Sequence, residues 1–217
     1  MHPLGTTWAR DVAELAPQAP PEAVAAVGND LVRRLEEPHR SYHTAQHVAE
    51  MFEALAELAD AGEVDASGAT IARIAAWFHD AVYDPSAGQG LNELASAELA
   101  TASLRGLGVG RAQVELVRGL VLATSSHELT SERTTAAFHD ADLWILSSPP
   151  DRYAQYVAQV RLEYAAVPDD AFRAGRAAVL RPFLERASIF GTAWARDRWE
   201  DRARANLLGE LDSLRLR

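Results

Sequence analysis

Residues 69–82 constrain the fold more than any other stretch. Ile71, Ile74, Ala75, Ala76, Trp77 and Phe78 cover every side of a helical turn, and the run closes on His79-Asp80 followed by Ala-Val-Tyr. A helix that is apolar all round has no face for water, so it must run through the middle of the molecule with other elements packed around it. Its end then delivers an imidazole and a carboxylate into the interior. Buried charge needs a partner, and for adjacent His and Asp the obvious partner is a divalent cation whose other ligands come from elsewhere in the chain. The doublet alone is not decisive, because His139-Asp140 repeats it.

The rest of the chain reads as the helices that would surround such a centre. From Pro20-Pro21, Val24, Val27, Leu31 and Leu35 recur at spacings of three and four, and the pattern ends before Glu37-Pro38. After a connector over 39–42, a second helix is expected to carry His43, His47, Met51, Leu55 and Leu58 on one stripe, making the two histidines i, i+4 neighbours. Further helices are expected over 91–104, 111–123, 134–146, 153–164, 169–186 and 194–214. Asn92 is the candidate cap of the first of these and Glu93 sits in its first turn. The Pro/Ser/Gly-rich stretch 84–90, next to the His-Asp doublet, is the clearest loop signal. No strand, repeat or low-complexity tract stands out. The expected fold is all-α, a single orthogonal helical bundle forming one domain over 1–217, with a motif-bearing core of about 40–146 completed by helices over 151–214.

Composition narrows the chemistry. The 217 residues contain no cysteine, which excludes disulfides, thiolate nucleophiles and Cys-type zinc sites, so any metal must be held by His, Asp and Glu. All 21 basic residues are Arg, so there is no Schiff-base or P-loop lysine. A net charge of -10 opposes extended nucleic-acid binding, which works by neutralising many phosphates. Met1 to Arg10 lacks the basic start and apolar core of a signal peptide, and no apolar run is long enough to span a membrane, so the expected location is cytoplasmic.

The ionisable groups expected to face inward fall in a fixed order: Arg40-Ser-Tyr42-His43-Thr44-Ala-Gln-His47, then Phe78-His79-Asp80, Asn92-Glu93, Thr124-Ser-Ser-His127-Glu128, and Asp140-Ala-Asp142-Leu143. A His, a His-Asp doublet and a distal Asp in this order resemble the HD-domain superfamily of metal-dependent phosphohydrolases. The Tyr42-His43…His47 and Ala141-Asp142-Leu143 pieces also look like motifs of the cyclic-nucleotide phosphodiesterases, which share that helical architecture. More narrowly, the chain resembles the small bacterial predicted HD phosphohydrolases. Features shared with them include Trp77-Phe-His-Asp80, Asn92-Glu93…Ser96-Ala97, Asp140-Ala-Asp-Leu143, Gly175-Arg176…Phe183-Leu-Glu-Arg186 and Ala203-Arg-Ala-Asn-Leu207, so the likeness runs from about residue 40 to 210.

That resemblance implies a set of roles. His47, His79, Asp80 and Asp142 become ligands of a divalent transition metal, Mn, Fe, Co, Ni or Zn, with Mg a further option; Asp140 competes with Asp142 as the fourth ligand. Asp80 orients the attacking water and His43 is the proton donor to the leaving group. Glu93 and His127 support the ligands or a second ion, and Arg176, Tyr164 and Arg40 contact substrate phosphate. The implied substrate is a small phosphate ester, a nucleotide foremost. Thr44 stands where the phosphodiesterases carry Asn, which turns the expectation away from cyclic nucleotides. The rivals are a non-catalytic metal- or ligand-binding helical sensor domain and an HD-type di-iron oxygenase; a homo-oligomer is compatible with each. His139, His39 and His2 read as surface residues, and Trp77, Phe78, Trp144, Phe183 and Trp199 as core aromatics.

Overall fold

The computed structural model describes residues 3–215; His2 and Met1 lie outside them. Among the described residues the chain is all-helical. Its helices are α1 (Pro3–Leu15), α2 (Pro21–Leu35), α3 (Ala45–Asp60), α4 (Ala66–Phe78), α5 (Leu91–Gly106), α6 (Arg111–Ala123), α7 (Arg133–Asp142), α8 (Pro150–Glu163), α9 (Asp169–Glu185), α10 (Ala193–Arg198) and α11 (Glu200–Arg215), with a 3-10 turn over Leu143–Ser147. None is long and apolar enough to cross a membrane.

Helix α4 is the axis. Ten of its 13 residues are buried, and it packs against α1, α3, α5, α6 and α7. Ala69, Ala72, Ala75 and Ala76 keep its flanks thin so that neighbours approach closely, while Trp77 and Phe78 fill one end. Both large rings meet Trp8 of α1 edge-on, at 5.9 and 5.8 Å. Side chains of this size each contribute about 1.5–3 kcal/mol on burial. Trp8 also donates to the Val24 carbonyl at 2.8 Å and leans on Gly28, where an added Cβ would meet its ring at 2.6 Å.

Local chemistry fixes the helix starts. Asp65 accepts from the Gly68 N–H at 2.7 Å and so caps α4; Pro21 and Pro150 occupy the first turns of α2 and α8. Several expectations are corrected. Helix α1 is not signalled by the periodicity, because its amphipathic pattern is short and starts at the end of the chain; Asp11, fully buried, binds Arg73 of α4 through both carboxylate oxygens and holds α1 in place. Asn92 does not cap α5. The cap is Gly90 at φ +76°, and Asn92 instead pins the preceding loop by exchanging two hydrogen bonds with the backbone of Asp84. The helix expected over 194–214 is broken at Trp199, and the one expected over 134–146 tightens to 3-10 geometry after Asp142.

Candidate metal centre

The C-terminal end of α4, the first turn of α3 and the last residue of α7 meet at one point. His47, His79 and Asp80 each place a ligand atom within 4.8 Å of the others. The two imidazole Nε2 atoms are 3.1 Å apart. Asp80 Oδ2 lies 2.8 Å from His79 Nε2 and 3.8 Å from His47 Nε2, and Asp142 Oδ1 lies 3.0 Å from His47 Nε2 and 3.5 Å from His79 Nε2. His47 and His79 are buried.

The outer nitrogens of both rings are occupied. His79 Nδ1 donates to the Ala76 carbonyl at 2.9 Å, which leaves the Nε2 lone pair aimed at the cluster. His47 Nδ1 is 3.0 Å from the Tyr42 hydroxyl. Two Nε2–H groups cannot face each other at 3.1 Å, so the pair holds at most one proton between its inner nitrogens. Electrostatics point the same way. Burial disfavours charge on His79, yet the Asp80 and Asp142 carboxylates outweigh it and hold the imidazole well above its ordinary pKa. Against their own burial, Asp80 and Asp142 are held well below the usual carboxylate range, chiefly by His79. Two partly buried carboxylates and two converging imidazole Nε2 atoms attract positive charge at one point, and this donor set fits a divalent cation. The group could therefore bind a metal ion.

His43 stands beside the cluster but not on the helix of His47. Thr44 adopts extended geometry (φ -121°, ψ 179°) and caps α3 by accepting from the Gln46 N–H. The expected i, i+4 pair on one helix is thus replaced by a loop residue and a first-turn residue whose rings lie 6.2 Å apart. The loop position is set by Glu163, the last residue of α8. Its Oε1 accepts from the N–H groups of Ser41, Tyr42 and His43 at 2.7, 2.8 and 3.0 Å. Its Oε2 accepts from the Tyr83 hydroxyl at 2.9 Å and pairs with His43 Nδ1 at 2.7 Å. Burial opposes the Glu163 charge, but His43 and the backbone donors bring its pKa down to about 2. In return, Asp80 and Glu163 raise the His43 pKa against its own burial. The ring is held by Nδ1, so Nε2 is the nitrogen free to exchange a proton in the cavity. Sequence reasoning named Tyr164 and passed over its neighbour Glu163; no local motif marks a carboxylate 120 residues from the histidine it serves.

Asp140 and Asp142 point to different places. Asp140 accepts from the Gly191 N–H, the Thr192 N–H and the Thr192 hydroxyl at 2.7, 2.8 and 2.7 Å, so its carboxylate is spent on locking the start of α10. Asp142 alone of the two faces the histidines, and His127 Nε2 binds its other oxygen at 2.7 Å. His127 has φ +46°, a left-handed conformation rare for a side-chain-bearing residue. Arg186 holds it there by donating to the carbonyls of Ser126 and His127. His139 is not a surface residue: it is buried with its ring 5.2 Å from that of His127, and burial followed by the His127 charge lowers its pKa to about 4. His39 is half-exposed and bonds to the Tyr83 carbonyl.

The cluster opens into a cavity of about 550 Å³ lined also by Glu93, His127 and Arg176. The three expected phosphate contacts fare differently. Arg40 is corrected to a buried strut: its guanidinium donates to Glu37 and to the carbonyls of His43, Asp80 and Ala81, tying the loop of His43 to the end of α4. Tyr164 lines a neighbouring cavity and not this one. Arg176 is in the wall, with its Nε and Nη2 engaged by Glu210 and the Tyr156 hydroxyl. Of the core aromatics, Trp77, Phe78 and Trp199 are buried, whereas Trp144 and Phe183 are partly exposed at the edge of the core. Scanned against protein-family models and against curated proteins, the chain matches none.

Proposed function

We propose that the chain is a metal-dependent phosphohydrolase of the HD type, acting on a phosphate ester of a small molecule, nucleotides among them. One observation carries the reading: two imidazoles and two carboxylates converge on a single point beside a histidine whose outer nitrogen is held by a buried carboxylate. His47, His79, Asp80 and Asp142 would hold a divalent transition metal, Mn, Fe, Co, Ni or Zn. Such an ion, when bound, supplies a Lewis acid for a phosphoryl oxygen and a lowered pKa for water.

The chain's own groups do the rest. Asp80, at the cavity face of the cluster, orients the attacking water through its carboxylate. His43 enters protonated because Glu163 and Asp80 favour its charged form, and it gives the Nε2 proton to the ester oxygen as the P–O bond to that oxygen breaks and the bond to the water oxygen forms. Glu163 keeps the ring aimed while its charge changes. The proton lost by the water reaches solvent, from which His43 is recharged. His127 holds Asp142 in place, and Arg176 stays in the cavity wall, committed to Glu210 and the Tyr156 hydroxyl. A chelator, or the substitution Asp80→Ala, is expected to abolish hydrolysis of 4-nitrophenyl phosphate and of nucleoside monophosphates; turnover unchanged by both would sink the mechanism.

A further inference from the structure

A second cavity, of about 440 Å³, adjoins the first, and His43, Tyr42, Tyr156, Arg176 and Val179 belong to both walls. Its far side is built from Val160 and Tyr164 at the end of α8, Val167 in the connector, and Phe172 and Gly175 of α9. Several of the polar atoms there are already paired. Arg161 donates to the carbonyls of Tyr164 and Val167 at 2.7 and 3.1 Å, and the Val167 N–H bonds to the Tyr164 carbonyl at 2.9 Å. The same guanidinium lies over the Phe172 ring, 4.8 Å from its centroid, and fixes that wall. Arg176, the one charged residue in the lining apart from His43, is neutralised by Glu210. The Tyr42 hydroxyl is engaged by His47 and that of Tyr156 by Arg176. What remains for an occupant is chiefly aliphatic and aromatic surface.

We propose that this cavity receives the leaving group of the phosphate ester and that it takes an aromatic ring carried close to the ester oxygen. The inference rests on the phosphohydrolase reading for its geometry. A proton donor must touch the ester oxygen, so the atoms beyond that oxygen lie past His43, where this cavity is. The volume falls in the range of small-molecule sites and accommodates a bicyclic ring. A second phosphate would face a single arginine whose charge is already matched.

Calorimetric titration of the full chain in Mn(II) with 2-naphthylphosphonate and with methylphosphonate reads the cavity without turnover. The naphthyl compound is expected to bind at least about tenfold more tightly, a difference that burial of a fused ring readily supplies. Gly175 provides the decisive variant, because a Cβ at this lining position meets no atom within 4 Å and a larger side chain has room to occupy the space. Gly175→Leu is expected to cut the naphthyl-to-methyl affinity ratio to below about threefold, and Phe172→Ala to lower it as well. A ratio is unmoved by uniform loss of folded protein. Equal affinities in the parent chain, a ratio that survives Gly175→Leu, or failure of both phosphonates to bind overturns the proposal. Absence of ester hydrolysis alongside intact naphthyl selectivity would sink the phosphohydrolase reading while upholding the aromatic occupant.

Discussion

Glu163 illustrates how much one buried carboxylate can organise. Five donors converge on it, three from consecutive backbone amides, one from Tyr83 and one from His43. Replacing it by Gln keeps the shape but removes the charge that favours the protonated imidazole. Glu163→Gln is expected to lower kcat by about tenfold or more with KM little changed. A pH–rate profile checks the cause: in the proposed mechanism His43 acts protonated, Asp80 and Glu163 raise its pKa in the folded chain, and the variant's alkaline limb should move to lower pH. Stability has the opposite sign. Because the folded carboxyl titrates near 2 rather than at 4.5, its contribution is complete above the ordinary value and disappears as the pH falls toward the folded one; acid unfolding of the variant should lack that dependence. Asp140 and Asp142 make a second contrast. Asp142→Asn is expected to weaken metal affinity by about 10–100-fold or more with little loss of stability. Asp140→Asn should cost about 1–3 kcal/mol of stability by disrupting three hydrogen bonds and leave metal affinity intact, as urea unfolding and metal titration can show. The sequence named both aspartates and could not separate them. They are two apart on one helix, which sends them to different faces, but which face meets the histidines depends on the packing of α7. Arg40 was misassigned for a related reason: its carbonyl partners belong to residues up to 41 positions away and carry no sequence signature.

At the level of elements, periodicity and breakers made α2, α4, α5, α6, α8 and α9 legible to within a few residues, because each carries either a strong apolar stripe or a proline or glycine at its boundary. Helix α3 was legible except for its start. Thr44 reads as an ordinary helical position, and its role as a cap emerges only when Glu163 gathers the preceding amides into a turn. Helix α1 was missed, since its contribution lies in tertiary contacts, the Trp8 rings against α4 and the Asp11–Arg73 pair. Removing one partner of a buried ion pair strands the other. Asp11→Ala is accordingly expected to destabilise the chain by about 3–5 kcal/mol, measured by denaturant unfolding, while metal affinity in the folded protein is unchanged because neither partner of the pair bonds to the doublet.

On the scale of the whole molecule, one apolar helix explains both the fold and the place of the site. Because α4 is surrounded on every side, the residues that follow it enter the interior, and α3 and α7 bring His47 and Asp142 to the same end. The doublet at 79–80 was suggestive from its apolar approach, but only the order of the other His and Asp motifs set it apart from the repeat at 139–140, which supplies a structural aspartate and a buried neutral histidine instead. A cation that binds this convergence binds only the folded chain. At a free concentration about 100 times its Kd it should add about 2.7 kcal/mol of stability and raise Tm by about 5–10 °C, an effect that Asp80→Ala should greatly reduce. The most direct test is anomalous diffraction from crystals of the chain soaked in Zn(II). A single strong peak is expected at about 2.0–2.2 Å from His47 Nε2, His79 Nε2 and carboxylate oxygens of Asp80 and Asp142; no peak at that point, or an ion held by Asp140 instead, would contradict the metal centre.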